Sequence, residues 1–147
     1  MDESVEERNL NLSIEFATRC VSTDLEVGKA DTKIHQIGAV RFDPKHSTYE
    51  EYFHSQGSLD AALSQLDAFS NGAEFALGQN FILFDRKHLL AARSDQSIAS
   101  RPCLDTLRLN PLAFPRNPYH HLVKHYQDGQ LQSGQKNNPV SDARLSM

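Results

Sequence analysis

TDLEVGKADTKIHQIGAVRFD, residues 23 to 43, decides how this chain is read. Its beginning closes a stretch from Ile14 to Glu26 that is apolar and β-prone. Its end, Lys33 to Asp43, carries Ile34, Gly38, Val40 and Phe42 on alternate positions. Between them VGKADT supplies Gly, Asp and Thr for a turn. The pattern predicts two neighbouring strands, with Asp24 and Glu26 at the end of the first. Residues two apart on a strand leave the same face of the sheet, so these two carboxylates can share a hard cation. Mg2+ takes few ligands from protein and completes its shell with water and phosphate, so two carboxylates begin a site without finishing it. Taken alone, D-x-E is a frequent chance pattern and usually marks a solvated strand end.

Working outward, a third strand is expected over Tyr49 to His54, with Pro44 marking the preceding turn. SLDAALSQLDAF then places Leu59, Ala62, Leu63, Leu66 and Phe69 at helical spacing, with Ser58 as cap and Gly72 as stop. FALGQNF, Phe75 to Phe81, reads as a buried strand, and ILFDRKHLLAAR as a helix behind it. CLDTLRL, Cys103 to Leu109, is a further apolar segment. Prolines 111, 115 and 118 forbid helix until one starts near Tyr119. Residues 127 to 138 read as a loop, and a last helix begins around Pro139. Strands followed by alternating helix and strand predict an α/β domain with a mixed sheet flanked by helices.

Composition bounds the rest. A chain of 147 residues, 39% hydrophobic and 23% charged, has the make-up of one globular domain rather than a disordered or membrane chain. Residues 1–13 are taken as a flexible N-terminus and 14–147 as the domain. The opening MDESVEERN is acidic where a secretory signal needs a basic start, and no apolar run reaches membrane-spanning length. Cys20 and Cys103 lack metal or disulfide spacing, which suits a reducing, cytoplasmic setting with no membrane. The net charge of -4 argues against coating nucleic acid by bulk positive charge. It is compatible with a nucleic-acid enzyme whose acids are neutralised by bound cations.

Two further acids matter. Asp85, in NFILFD, follows a buried strand, at the edge where open α/β sheets gather ligands. In isolation it reads as an acid favoured by a helix macrodipole. Asp142, in SDA, sits on the last helix and is unremarkable by itself. In order, however, D-x-E on a strand, N-x-x-x-F-D after the fourth strand and a terminal D-A helix resemble the three exonuclease motifs of DEDD nucleases. The resemblance covers residues 18 to 146 and implies a ribonuclease H-like fold, with IHQIGAVRFD as its second strand. LDTLRLNPLAFPRNPYHHLVKHY and NNPVSDARL are most similar to ribonuclease T-like, or DnaQ-like, exonuclease domains attached to some bacterial RecQ-type helicases.

What this resemblance implies is a metal-dependent 3'-5' exonuclease. Asp24, Glu26, Asp85 and Asp142 would bind two Mg2+ or Mn2+ ions that clamp the scissile phosphate. The substrate would be single-stranded or frayed 3' ends, with DNA favoured, and a helicase domain is an implied neighbour. The general-base His of the family's His subclass stands five positions before the last Asp; here that position is Asn137, and an amide cannot take a proton from water near neutral pH. Gln79 also replaces a histidine common in the family. Asn80, Phe84, His120 and Lys124 are the candidate nucleic-acid contacts, with Arg116 and Lys136 as further phosphate partners. His121 and His125 share a helical face, an arrangement more often packing than metal ligation. Asp105 is read as structural, capping a turn away from the acids. The chain ends five residues after Asp142 (142 to 147), whereas the family's last helix runs on, which implies a C-terminally truncated domain. The alternative reading is a catalytically weak or inactive nucleic-acid-binding or docking module that kept the fold.

Overall fold

The computed structural model describes residues 4–113, 126–127, 130–131 and 138–146. The chain is α/β. Strands β1 (Cys20–Val27), β2 (Ile34–Asp43) and β3 (Thr48–His54) form an antiparallel meander, and β4 (Phe75–Gly78) and β5 (Cys103–Asp105) add in parallel on the other side of β1. The resulting sheet has five strands in the order β3-β2-β1-β4-β5. This mixed sheet with flanking helices is compatible with the ribonuclease H-like arrangement that the resemblance implies.

Alternation along β1 assigns the two faces. Val21 and Leu25 point into the main core, where they meet Ile37 and Ala39 of β2 and Ala62, Leu63 and Leu66 of helix α2 (Leu59–Phe69). Ser58 caps that helix, its hydroxyl accepting from the Ala61 amide, as its position before the apolar run predicts. Ser22, Asp24 and Glu26 point the other way, towards helix α6 (Pro139–Ser146). The alternation read along β2 breaks near its start. Glu26 pairs with Gln36, but Val27 pairs with Ile34, so His35 is an extra residue in the ladder. Such a bulge shifts the pleat by one position. Ile34 and Ile37 therefore both reach the core, and Gly38 and Val40 lie on the opposite face from the one Ile34 suggested.

Near the N-terminus, helix α1 (Val5–Thr18) stands where a strand from Ile14 was expected. Ser4 and Glu7 form a reciprocal capping box at its start. Apolar residues at every second position from Leu10 to Phe16 imitate a strand, which is why the sequence points the wrong way here. The expected strand over Phe75 to Phe81 stops at Gly78, and a π-helical turn, Phe81–Asp85, precedes α3 (Arg86–Ala92). Likewise the apolar segment after Cys103 is strand only to Asp105. Helix α5 (Thr106–Ala113) follows and runs through Pro111, at the cost of one backbone hydrogen bond. A short helix α4 (Ser97–Ser100) precedes β5, and two-residue strands β6 (Tyr126–Gln127) and β7 (Gln130–Leu131) pair at the start of the expected loop.

Helix α6 lies on the sheet because Gly38 leaves room for it. A Cβ at Gly38 would fall well inside contact distance of the Pro139 and Val140 backbone. The Ser22 hydroxyl donates to the Ala143 carbonyl, and Arg144 pairs with Glu51 and stands 5.6 Å over the Tyr49 ring. Asn138 caps the helix by accepting from the Val140 and Ser141 amides. Replacing Gly38 by Ala forces backbone against backbone and should cost about 1–3 kcal/mol, a fall in Tm of a few to about ten degrees. Thermal melting monitored by circular dichroism checks this, and an unchanged Tm would contradict the seating of α6 on β2.

Candidate metal centre

Three of the four acids expected to act together do meet. Asp24 and Glu26 project from β1 towards α6, which delivers Asp142 from the far end of the described chain. One carboxylate oxygen from each lies within 4.8 Å of the others. Oxygens around a single octahedral Mg2+ at about 2.1 Å stand at most about 4.2 Å apart, so small side-chain rotations suffice to close the set on one ion. Asp142 is nearly buried, and Asp24 and Glu26 are half-buried. The cluster is therefore partly shielded from water yet open to a ligand.

Asp85 occupies a different position. It is not one of the three whose oxygens converge, and it is almost fully buried at 1% exposure. It ends the π-helical turn, and its carboxylate accepts from the backbone N–H of Leu25, the residue between Asp24 and Glu26. Its Oδ2 atom has no hydrogen-bond partner among the described residues. Burial, followed by the charges of Asp24, Asp105 and Glu26, holds the Asp85 carboxyl well above the usual carboxylate range. A buried carboxyl oxygen without a partner is costly, and a cation beside it would relieve that cost. Oxygen-only donors, several negative charges and one orphaned buried oxygen together match the chemistry of a hard divalent cation.

The surroundings separate the other candidates. Phe81 is fully buried and belongs to the core, whereas Phe84 and Leu83 are exposed on the π-helical turn that carries Asp85. The Phe84 ring packs against His88 with centroids 4.5 Å apart. Asn80 begins the turn in the left-handed region at φ 55° and is half-buried, as is Gln79. Asn137, His120 and Lys124, together with Arg116, Tyr119, His121, His125 and Lys136, lie outside the described residues. Asp105 does cap a turn, as expected, but it lies close enough to Asp85 for its charge to act there. A cleft of about 300 Å³ between β3 and α6 is lined by Glu51, Phe53, Asn138, Val140, Ser141 and Arg144, and no acid of the cluster lines it.

Sequence reasoning passed over Gly38 as a site residue, although a glycine inside a strand is a signal of close backbone approach. Among the described residues no helix is long and apolar enough to cross a membrane. No protein-family model matches the sequence, and no curated protein matches it.

The raised Asp85 carboxyl has a measurable consequence in chelator. The folded state holds this proton more tightly than the unfolded chain, so the contribution of Asp85 is full below about pH 3.9, the ordinary aspartate value, and is lost as pH rises towards neutral. Asp85→Asn mimics the protonated form. Denaturant titrations of the two proteins should converge near pH 4, with the variant gaining on wild type as pH rises. Parallel curves across that range would show that Asp85 is not held in its neutral form.

Proposed function

We propose that the chain is a metal-dependent 3'-5' exonuclease domain that hydrolyses phosphodiester bonds at single-stranded or frayed 3' ends of nucleic acid, with DNA the favoured substrate. The observation that carries this reading is the convergence of Asp24, Glu26 and Asp142 within 4.8 Å, from segments more than 100 residues apart (24 to 142) and in the order of the DEDD motifs. Asp85, buried against the same strand with an unpartnered oxygen, supports it as the fourth acid.

The four carboxylates would hold two Mg2+ or Mn2+ ions, which when bound supply activation of water and charge stabilisation for the departing 3' oxygen. The chain's own task is then position and electrostatics. Asp24 and Glu26 fix their oxygens on one sheet face because β1 is paired with β2 along both residues and anchored to β4 just before them, over Cys20 to Ser22. Asp142 is held by the seat of α6 on Gly38. The sheet beneath excludes water from the back of the cluster, since Thr23 and Leu25 are buried. Exposed Phe84 offers a face for a base near the 3' end, and Asn80 stands at the mouth of the same turn. His120 and Lys124 complete the proposed contacts in sequence. A cytoplasmic setting accords with two free cysteines, and a helicase that frays ends is the partner this substrate calls for.

Purified protein should release nucleotides from 5'-labelled single strands in Mg2+ or Mn2+ and none in chelator. Asp24→Ala should reduce this on the order of 100-fold or more, the scale of removing one charge-stabilising group, while melting like wild type. Cation binding without turnover would support the alternative of a non-catalytic binding module. Absence of release from DNA and RNA with either metal would refute the enzyme reading.

A further inference from the structure

Asp105 ends β5 at 4% exposure, and the whole of its carboxylate is spent on backbone amides. Its Oδ1 accepts from the N–H of Asn80 at 2.7 Å and from that of Leu107 at 3.1 Å, while Oδ2 accepts from Ile82 at 3.2 Å. The first amides of a helical turn have no partner within the helix, and a side chain at the N-cap ordinarily supplies one. Here Asn80, the residue in that place, makes no capping bond with its side chain. A residue from another strand, 25 positions away, does the capping instead.

We propose that Asp105 is a positioning residue that aims Asp85 at the acidic cluster, an inference that rests on reading the cluster as a metal site. The chain between them leaves little freedom. Asn80 is left-handed, Phe81 is fully buried, the Phe84 amide donates to the Asn80 carbonyl, and the Arg86 amide donates to the Phe81 carbonyl to close the wide turn. The Asp105 carboxylate clamps the start of this turn at Asn80 and Ile82, and the Leu25 amide meets its end at Asp85. π-Helical turns are rare and need outside support, because the same residues can rewind to the α-helical register. Rewinding would remove one residue from the turn and swing Asp85 away from β1. The same carboxylate holds the first turn of α5 through Leu107, so β5, α5 and the turn are aligned by one side chain.

Asp105→Asn keeps the shape of the side chain but sets an NH2 against one of the three amides, a donor facing a donor. Mn2+ affinity, read by electron paramagnetic resonance of free Mn2+, should weaken about 10- to 100-fold, the usual effect of losing a group that orients a metal ligand. Amide exchange at Ile82 should quicken in the same variant. A merely structural residue would lower Tm and leave the affinity of the folded fraction unchanged, and that result overturns the proposal. Should the variant fail to fold, wild type decides: Mn2+ should slow exchange of the Asn80 and Ile82 amides, and equal exchange with and without the ion overturns the proposal. If wild type binds no Mn2+, this inference and the metal reading fall together; if wild type binds and Asp105→Asn binds equally well, only this inference does.

Discussion

At Gly38 the backbone of β2 lies against the backbone of the first turn of α6, with no room for a methyl group between them. Helix α6 is eight residues long, too short to persist alone in water, so its position comes from this packing and from the contacts around it. Ser22 on β1 and Glu51 and Tyr49 on β3 hold it from the two sides of Gly38. The cross-strand pair Asp24 and Gly38 then explains the site. An acid on β1 faces a vacant position on β2, and the helix that fills the vacancy brings Asp142 over the acids. The convergence of the cluster is thus a packing consequence of one missing side chain.

Gathering like charges opposes folding, and the chain meets that cost in two ways. Asp105 is buried but fully satisfied by three amides, so its charge is spread over backbone donors. Asp85 is buried with one oxygen unpartnered, and it is held towards its neutral form. Two carboxylates, one capping the turn from β5 and one at its end, are therefore in opposite situations: Asp105 closes a structural junction, and Asp85 has an oxygen open to a counter-charge. Arg144 is engaged with Glu51, and Arg93 with Asp60 and Ser64 on the α2 side. A divalent cation would fit such an all-oxygen set.

Much of this was legible in the residues. The β1 and β2 strands, the α2 helix with its Ser58 cap, and the pairing of Asp24 with Glu26 on one face follow from period-2 and period-3.6 patterns. Asp142 could be placed on a helix, but nothing local in SDA says that the helix crosses β1; that depends on Gly38, more than 100 positions earlier (38 to 142). The capped α1 was misread because its apolar residues alternate, and local hydrogen bonds at Ser4 and Glu7 outweighed that pattern. The bulge at His35 and the π-helical turn before α3 are set by tertiary partners, so no window of sequence announces them. Phe84 and Phe81 look alike in NFILFD, and only the turn's geometry exposes one and buries the other.

In the proposed site, Asp24, Glu26 and Asp142 share a divalent cation, with Asp85 beside it. Anomalous diffraction from crystals soaked in Mn2+ tests it most directly. The expected result is a strong peak bounded by these three carboxylates, at ligand distances of roughly 2.1 to 2.2 Å and within reach of Asp85 Oδ2. Data showing no peak there, or Mn2+ bound only at surface pairs such as Asp31 and His35, would contradict it.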